Sequence, residues 1–264
     1  MTRSKTTLGL IACLLATLVS AQPAPAAIFD LTSDPRAEQP AIAVDGAGTA
    51  HVAWNLNAGI PGDDQLVYCR VPSGAKSCAL THTIALPLTD FDGPRVVLTR
   101  SGGIVLVSSR CCFPAAPVYA VTSNDGGQSF GPPVKIAEEF AGGQDWEAAL
   151  GPGDFSLALS GGNSGPDFAA IWRAAPLDGS NPKAKAELAP FPKAYFTSTG
   201  FADPNNPIAA YSDLDAVFVR RWGGSGDYND PATWTPEAFV VSGDEPKLAS
   251  GLRGVYLIYQ GSKP

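Results

Sequence analysis

The chain repeats itself at long intervals, and that constrains its fold more than any other feature. Pro40-Ala41-Ile42-Ala43-Val44-Asp45-Gly46-Ala47-Gly48 runs into Thr49-Ala50-His51-Val52-Ala53-Trp54. Pro94-Arg95-Val96-Val97-Leu98-Thr99 passes through Ser101-Gly102-Gly103 into Ile104-Val105-Leu106-Val107. Pro246-Lys247-Leu248-Ala249-Ser250-Gly251 leads into Gly254-Val255-Tyr256-Leu257-Ile258-Tyr259 in the same way. Each unit reads as a short strand, a Gly turn and a second strand. Weaker copies begin near Trp146, continuing in Phe155-Ser156-Leu157-Ala158-Leu159, and near Lys193. The starts are spaced by roughly 50 residues, the period of the four-stranded blades of a β-propeller.

The other strands fit between these starts. Gln65 to Val71 and Ala79 to Leu86 follow the first pair, Pro117 to Thr122 and Ser129 to Ala137 the second. Asp167 to Arg173 belongs to the third unit, and Asp215 to Trp222 with Thr235 to Val241 to the fourth. Helical periodicity is nearly absent, while 28 Gly and 24 Pro punctuate the chain at turn spacing. The expected fold is all-β: a propeller of four-stranded blades, about five of them, the fifth stopping at Pro264 after its second strand. Such a ring is either incompletely closed or completed by Ile28-Phe29-Asp30-Leu31 as an outer strand of the last blade.

Arg3 and Lys5, the apolar run from Leu8 to Val19, and small residues at Val19-Ser20-Ala21 and Ala24-Pro25-Ala26 form a secretory signal. The domain expectation is therefore a signal over 1–27 and one propeller domain over 28–264. Leu10-Ile11-Ala12-Cys13 has the look of a lipoprotein box, but the apolar core continues past Cys13, so a secreted, unanchored product, extracellular or periplasmic, is expected. No stretch reaches the ~20 apolar residues of a membrane span. The net charge is −7 for the whole chain. Nucleic acid and anionic membranes are poor partners for so acidic a protein, and a monomer is expected. Four cysteines lie beyond the signal. Export favours disulfides, and Cys69 and Cys78 flank a turn-rich segment, so a bridge across one hairpin is the simplest pairing. Cys111 and Cys112 are then a vicinal pair or two thiols. His51 and His82 lack metal-ligand spacing, which disfavours zinc.

Ser123-Asn124-Asp125-Gly126-Gly127-Gln128-Ser129-Phe130 fits the pattern Ser, any, Asp, any, Gly, any, Ser or Thr, aromatic. It falls between the third and fourth strands of the second unit. Asp125 is expected to accept bonds from its own turn, Gly126 and Gly127 to take positive φ, and Phe130 to tuck between sheets. A degenerate copy starts at Ser225-Gly226-Asp227, with Thr233-Trp234 displaced. On these residues the chain resembles the sialidase-like, Asp-box (bacterial neuraminidase repeat) propeller superfamily. Ser123, Asp125, Gly127 and Phe130 are its structural positions. That superfamily contains exo-sialidases, other glycosidases, sugar-binding proteins and photosystem assembly factors, so the resemblance implies a scaffold and no single reaction.

A sialidase, by that resemblance, needs three arginines on the substrate carboxylate, an Asp acid/base, and a Tyr nucleophile supported by a Glu. The nearest match to the family's Arg-Ile-Pro is Arg70-Val71-Pro72, which lies in a third strand and reads as hairpin sequence. Arg95, Arg110, Arg173, Arg220, Arg221 and Arg253 come from further units, with Arg95 and Arg110 best placed; Tyr211, Tyr256 and Tyr259 are available late in the chain. The segments leading into the inner strands read Glu38-Gln39-Pro40, Asp92-Gly93-Pro94, Asp145-Trp146-Glu147 and Asp244-Glu245-Pro246. Asp63, Asp64, Asp213 and Asp215 follow second strands. Asp92, Arg95, Arg110, Asp145, Trp146 and Asp244 are therefore the candidates for one ligand face. Converging carboxylates suit Ca²⁺ or an acid/base pair for glycoside hydrolysis, or else each simply caps its turn. Trp146 suits stacking on a sugar or packing between blades. The expected function is a carbohydrate- or protein-binding propeller, with a sialidase-type hydrolase of divergent site as the alternative.

Overall fold

The computed structural model describes residues 29–57, 64–88, 93–110, 116–140, 146–162, 170–183, 186–189, 194, 196–201, 206–213, 215–251 and 254–261. They are almost entirely strand and turn. The first sheet holds β1 (Ala37–Val44), β2 (Ala50–Leu56), β3 (Gln65–Val71) and β4 (Leu80–Ile84), paired antiparallel in chain order. The second holds β5 (Arg95–Leu98), β6 (Ile104–Ser109), β7 (Ala116–Ser123) and β8 (Val134–Phe140) in the same order. The third holds β9 (Glu147–Leu150), β10 (Ser156–Gly162), β11 (Ala170–Pro176) and β12 (Ala186–Ala189). In the fourth, β13 (Phe196–Phe201), β14 (Pro207–Ser212) and β15 (Ala216–Arg221) are followed by a long β16 (Ala238–Gly251) and then β17 (Gly254–Gly261).

β16 belongs to two units. Its first part, Ala238 to Ser242, pairs with β15, and its second part, Gly243 to Gly251, pairs with β17. The change of partner comes at Asp244-Glu245-Pro246, where the pairing is irregular. Glu245 there has φ +47°, and its counterpart Gln39, ahead of Pro40, has φ +50° beside the matching irregularity in β1. Two non-Gly residues in the sparsely populated left-handed region, each just before a Pro, show that the second part of β16 repeats β1.

The first strands of successive units lie side by side, β1 against β5, β5 against β9, β9 against β13, and β13 against β16. Sheet then packs on sheet. Val97, Val105, Val118 and Ile136 of the second sheet share a core with Trp146, Leu157, Leu159 and Ala175 of the third. Ala53, Leu66 and Tyr68 of the first meet Ile104, Leu106 and Val121 of the second. Second strands are covered on both faces, which explains why β6 reads Ile-Val-Leu-Val without polar alternation and is buried throughout.

The Ser123–Phe130 turn is closed by its own side chains. Asp125 accepts from the backbone N–H of Gln128 at 2.9 Å and Ser129 at 3.0 Å, and from the hydroxyls of Ser123 at 2.7 Å and Ser129 at 2.5 Å. These donors hold its carboxyl well below the usual carboxylate range, the Ser129 hydroxyl being the largest cause. Phe130 then packs edge-on against Tyr68 of β3 at 4.9 Å. The fourth sheet repeats the arrangement loosely: Trp234, in the turn between β15 and β16, packs edge-on against Trp172 of β11 at 4.7 Å. In both places an aromatic from one sheet's last turn docks on the third strand of the preceding sheet.

Cys69 and Cys78 are joined by a disulfide, as their spacing suggests. Arg70 lies in β3 and donates to the Gly126 carbonyl at 3.0 Å, in keeping with its reading as hairpin sequence. Phe29 to Leu31 form no strand; Leu31 packs on the first sheet beside Val52 and Trp54 instead of extending the last unit, because that apolar face is otherwise open. Ile28, Cys111 and Cys112 lie outside the described residues. Among the described residues no helix is long and apolar enough to cross a membrane.

Candidate functional site

Antiparallel order places the starts of all the inner strands at one end of the molecule, together with the exits of the second strands. The strand-to-strand Gly turns lie at the other. Three inner strands contribute charged side chains that meet at the first of these ends, the mouth. Arg95, first residue of β5, donates from Nε to the Trp146 carbonyl at 2.9 Å and from Nη1 to the carbonyls of Gly93 and Pro94, each at 3.0 Å. Its Nη2 also donates to the Trp146 carbonyl. Glu147, first residue of β9, lies with one carboxylate oxygen 3.7 Å from Arg95 Nε and the other 2.6 Å from Lys247 Nζ, on the second part of β16. One carboxylate thus serves as counter-ion to two cations, one from the neighbouring β5 and one from β16, which lies beyond β13.

Trp146 is fully enclosed, packing edge-on against Phe140 with the Arg95 guanidinium 4.7 Å from its ring centroid. The cation–π contact and the carbonyl bonds fix Arg95 on its inner side, so of the two sequence readings for Trp146 the geometry favours packing. Asp244 accepts from the Ser212 hydroxyl and from the Glu245 backbone N–H at 2.8 Å. Asp213 caps its own turn, accepting from the N–H of Asp215 at 3.1 Å and Ala216 at 2.9 Å. Arg110 follows β6 immediately at the mouth end. Asn55 of β2 donates to Gln39 at 3.2 Å, adding an amide pair to the rim. Asp92, Asp145, Asp63 and Arg253 lie outside the described residues. Among the described residues no three His, Cys, Asp or Glu side chains are placed to share a metal ion.

Arg173 and Arg220 have other occupations. Arg173 is fully buried on β11, its guanidinium brought down to about 10 by burial, and donates to the Asn181 carbonyl. Arg220 donates to the carbonyls of Thr235 at 2.8 Å and Pro231 at 3.2 Å. Tyr211 does have a glutamate partner, Glu237, to which its hydroxyl donates. Tyr211 is one residue from the mouth-end exit of β14, yet its side chain is enclosed. Tyr211 is 1% exposed and stacks on Phe218, on the face of β14 that carries Ala209 against the third sheet. Burial is the first cause of a raised Glu237 carboxyl and of a raised Tyr211 hydroxyl.

The sequence singled out Arg95 but not Lys247, which is separated from Glu147 by 100 positions. Its only signal was its place in the repeat, one residue after the Pro that opens the strand, where the second unit has Arg95.

No family model matches the chain, and no curated protein matches it. Solved structures do. A protein of unknown function from Dyadobacter fermentans superposes with a TM-score of 0.59 at 13% identity, covering 88% of this chain and 77% of that one. An α-L-arabinanase of Penicillium chrysogenum, solved with arabinobiose, gives 0.56 at 14% identity, covering 85% and 75%. A Hadza microbial sialidase gives 0.50 at 16% identity, covering 85% of this chain and 50% of that one. At such identities the likeness concerns the fold: this chain is all-β, and its structural neighbours are β-propeller glycoside hydrolases.

Proposed function

We propose that the protein is an exported carbohydrate-binding β-propeller of the sialidase-like, Asp-box kind, which holds its ligand at the mouth lined by Arg95, Glu147, Lys247, Arg110 and Asp244. The observation that carries this reading is the meeting of Arg95, Glu147 and Lys247 from three inner strands at one end of the fold. Sugar hydroxyls are both donors and acceptors, and a rim of alternating cation and carboxylate offers partners for each. The closed Ser123–Phe130 turn and its aromatic supports the Asp-box reading, and the Cys69–Cys78 disulfide supports export to an oxidising compartment.

Binding is favoured over hydrolysis by what the mouth carboxylates do. Glu147 is engaged on both oxygens by cations and Asp244 by a hydroxyl and an amide. A two-carboxylate hydrolase needs a pair of carboxyl groups facing the glycosidic bond, one of them free to donate a proton, and a sialidase needs a free Asp beside its Tyr nucleophile. The second reading, a glycoside hydrolase, rests on the arabinanase and sialidase neighbours and on Asp92 and Asp145 as the remaining acidic candidates. A panel of arabino-oligosaccharides and sialosides separates the two. Glycan binding that is lost in Arg95→Ala, without release of 4-methylumbelliferone from arabinofuranoside or sialoside substrates, fits the binding module; release abolished by Asp92→Asn makes it an enzyme.

A further inference from the structure

The two central cations of the mouth differ in what their hydrogen bonds leave for a ligand. A guanidinium has five N–H donors. Arg95 commits four of them to backbone carbonyls: one each from Nε and Nη2 to Trp146, and two from Nη1 to Gly93 and Pro94. A carboxylate is clamped by two parallel N–H groups of one guanidinium, and Arg95 has a single one remaining. Lys247 is the opposite case. Its ammonium has three donors, and Glu147 takes one of them at 2.6 Å, on a side chain that is half exposed. Two N–H groups of Lys247 therefore stay open to a ligand.

Asp244 supplies the complementary group. It receives both the Ser212 hydroxyl and the Glu245 amide on Oδ1, so Oδ2 has no partner among the described residues. Asp244 and Lys247 flank Glu245-Pro246 at the joint where β16 changes partner. A free acceptor oxygen and free N–H donors thus stand on one short segment. The charge around it is not positive. Arg95 and Lys247 are matched by Glu147 and Asp244, and Arg110 by Asp213, while Asp215 tips the described part of the mouth to negative.

We infer that the ligand of this mouth is a neutral saccharide gripped through two hydroxyls by the Asp244–Lys247 segment, and that Arg95 is a positioning residue that holds Glu147 and Trp146. The inference rests on the carbohydrate-binding reading and narrows it. One sugar hydroxyl donates to Asp244 Oδ2 and its neighbour accepts from Lys247 Nζ, and neither contact requires the ligand to carry charge. A sialic or uronic acid would bring its carboxylate to a rim with an excess of negative charge and no bidentate clamp at Arg95. Like charges placed together in a binding site are penalised, so such a ligand is turned away.

Calorimetric titration with arabinotriose, xylotriose and galactobiose, against 3′-sialyllactose and digalacturonate, tests this. The expected result is binding of at least one neutral sugar, with both acidic ones at least about tenfold weaker. Lys247→Ala and Asp244→Asn, each removing a hydrogen bond to a charged group, are expected to lose about tenfold or more. Asp244→Asn keeps an acceptor for Ser212 and Glu245, so its fold is expected to be intact. Arg95→Lys keeps the charge but cannot reach all three carbonyls, and is expected to weaken binding nearly as much as Arg95→Ala. A preference for either acidic sugar overturns the inference and leaves the binding module standing. Neutral-sugar binding that is unchanged in Lys247→Ala or in Asp244→Asn, or fully retained in Arg95→Lys, overturns it as well. Binding of no sugar in the panel overturns the carbohydrate reading, and this inference with it.

Discussion

Gly127 has to satisfy two demands at once. Its φ is +84°, and a Cβ added there would sit 2.1 Å from the hydroxyl oxygen of Tyr68, itself buried and bonded to His51 Nδ1 at 2.7 Å. Gly127→Ala is therefore expected to cost roughly 2–5 kcal/mol from backbone strain and overpacking together, read as a lower denaturant midpoint. Arg173 poses the opposite case. It is fully buried, and its Nε and Nη1 have no hydrogen-bond partner among the described residues. Replacing an uncompensated buried charge by an apolar side chain of similar volume is commonly neutral or favourable. Arg173→Met is expected to unfold at an equal or higher temperature, and a marked loss of stability would mean that the guanidinium has an anionic partner.

At the scale of elements, the joint between the third and fourth sheets should make stability depend on pH. Glu237 is raised from its ordinary value of 4.5, first by burial, so the folded protein binds its proton more tightly than the unfolded chain does. Its contribution is fully present below that ordinary value and is lost as pH rises through the folded one. Glu237→Gln, which keeps an acceptor for Tyr211 and carries no charge, is expected to flatten the fall in melting temperature above about pH 4.5, and an unchanged slope would contradict this. Most strands were legible in the sequence because alternation and Gly turns are local signals: the third strand of the first sheet was expected at Gln65 to Val71 and stands there. β12, Ala-Glu-Leu-Ala, was not, since it has no β-branched residue and follows a stretch rich in Pro and Lys. The mouth was half legible. Arg95 stood out by its place at a strand start, but the role of Glu147 depends on Lys247, 100 positions away in a strand two units further along the chain. Trp146 looked like a possible sugar platform because one sequence cannot tell an aromatic in a loop from one folded under it.

Across the whole molecule, the stacking of units separates two ends with different work. The turns around Asp45 and Asp125 close themselves with their own side chains at one end. The other gathers Arg95, Glu147 and Lys247. The proposed function requires the ligand to depend on the second end alone. Calorimetric titration with the glycan that binds best in a carbohydrate array tests this most directly, comparing the wild type with Lys247→Ala at the mouth and Asp125→Ala at the turn end. The account predicts that affinity falls at least about tenfold in Lys247→Ala, equivalent to about 1.4 kcal/mol, and is unchanged in folded Asp125→Ala. Equal binding by wild type and Lys247→Ala, or the absence of any glycan that binds, would contradict it.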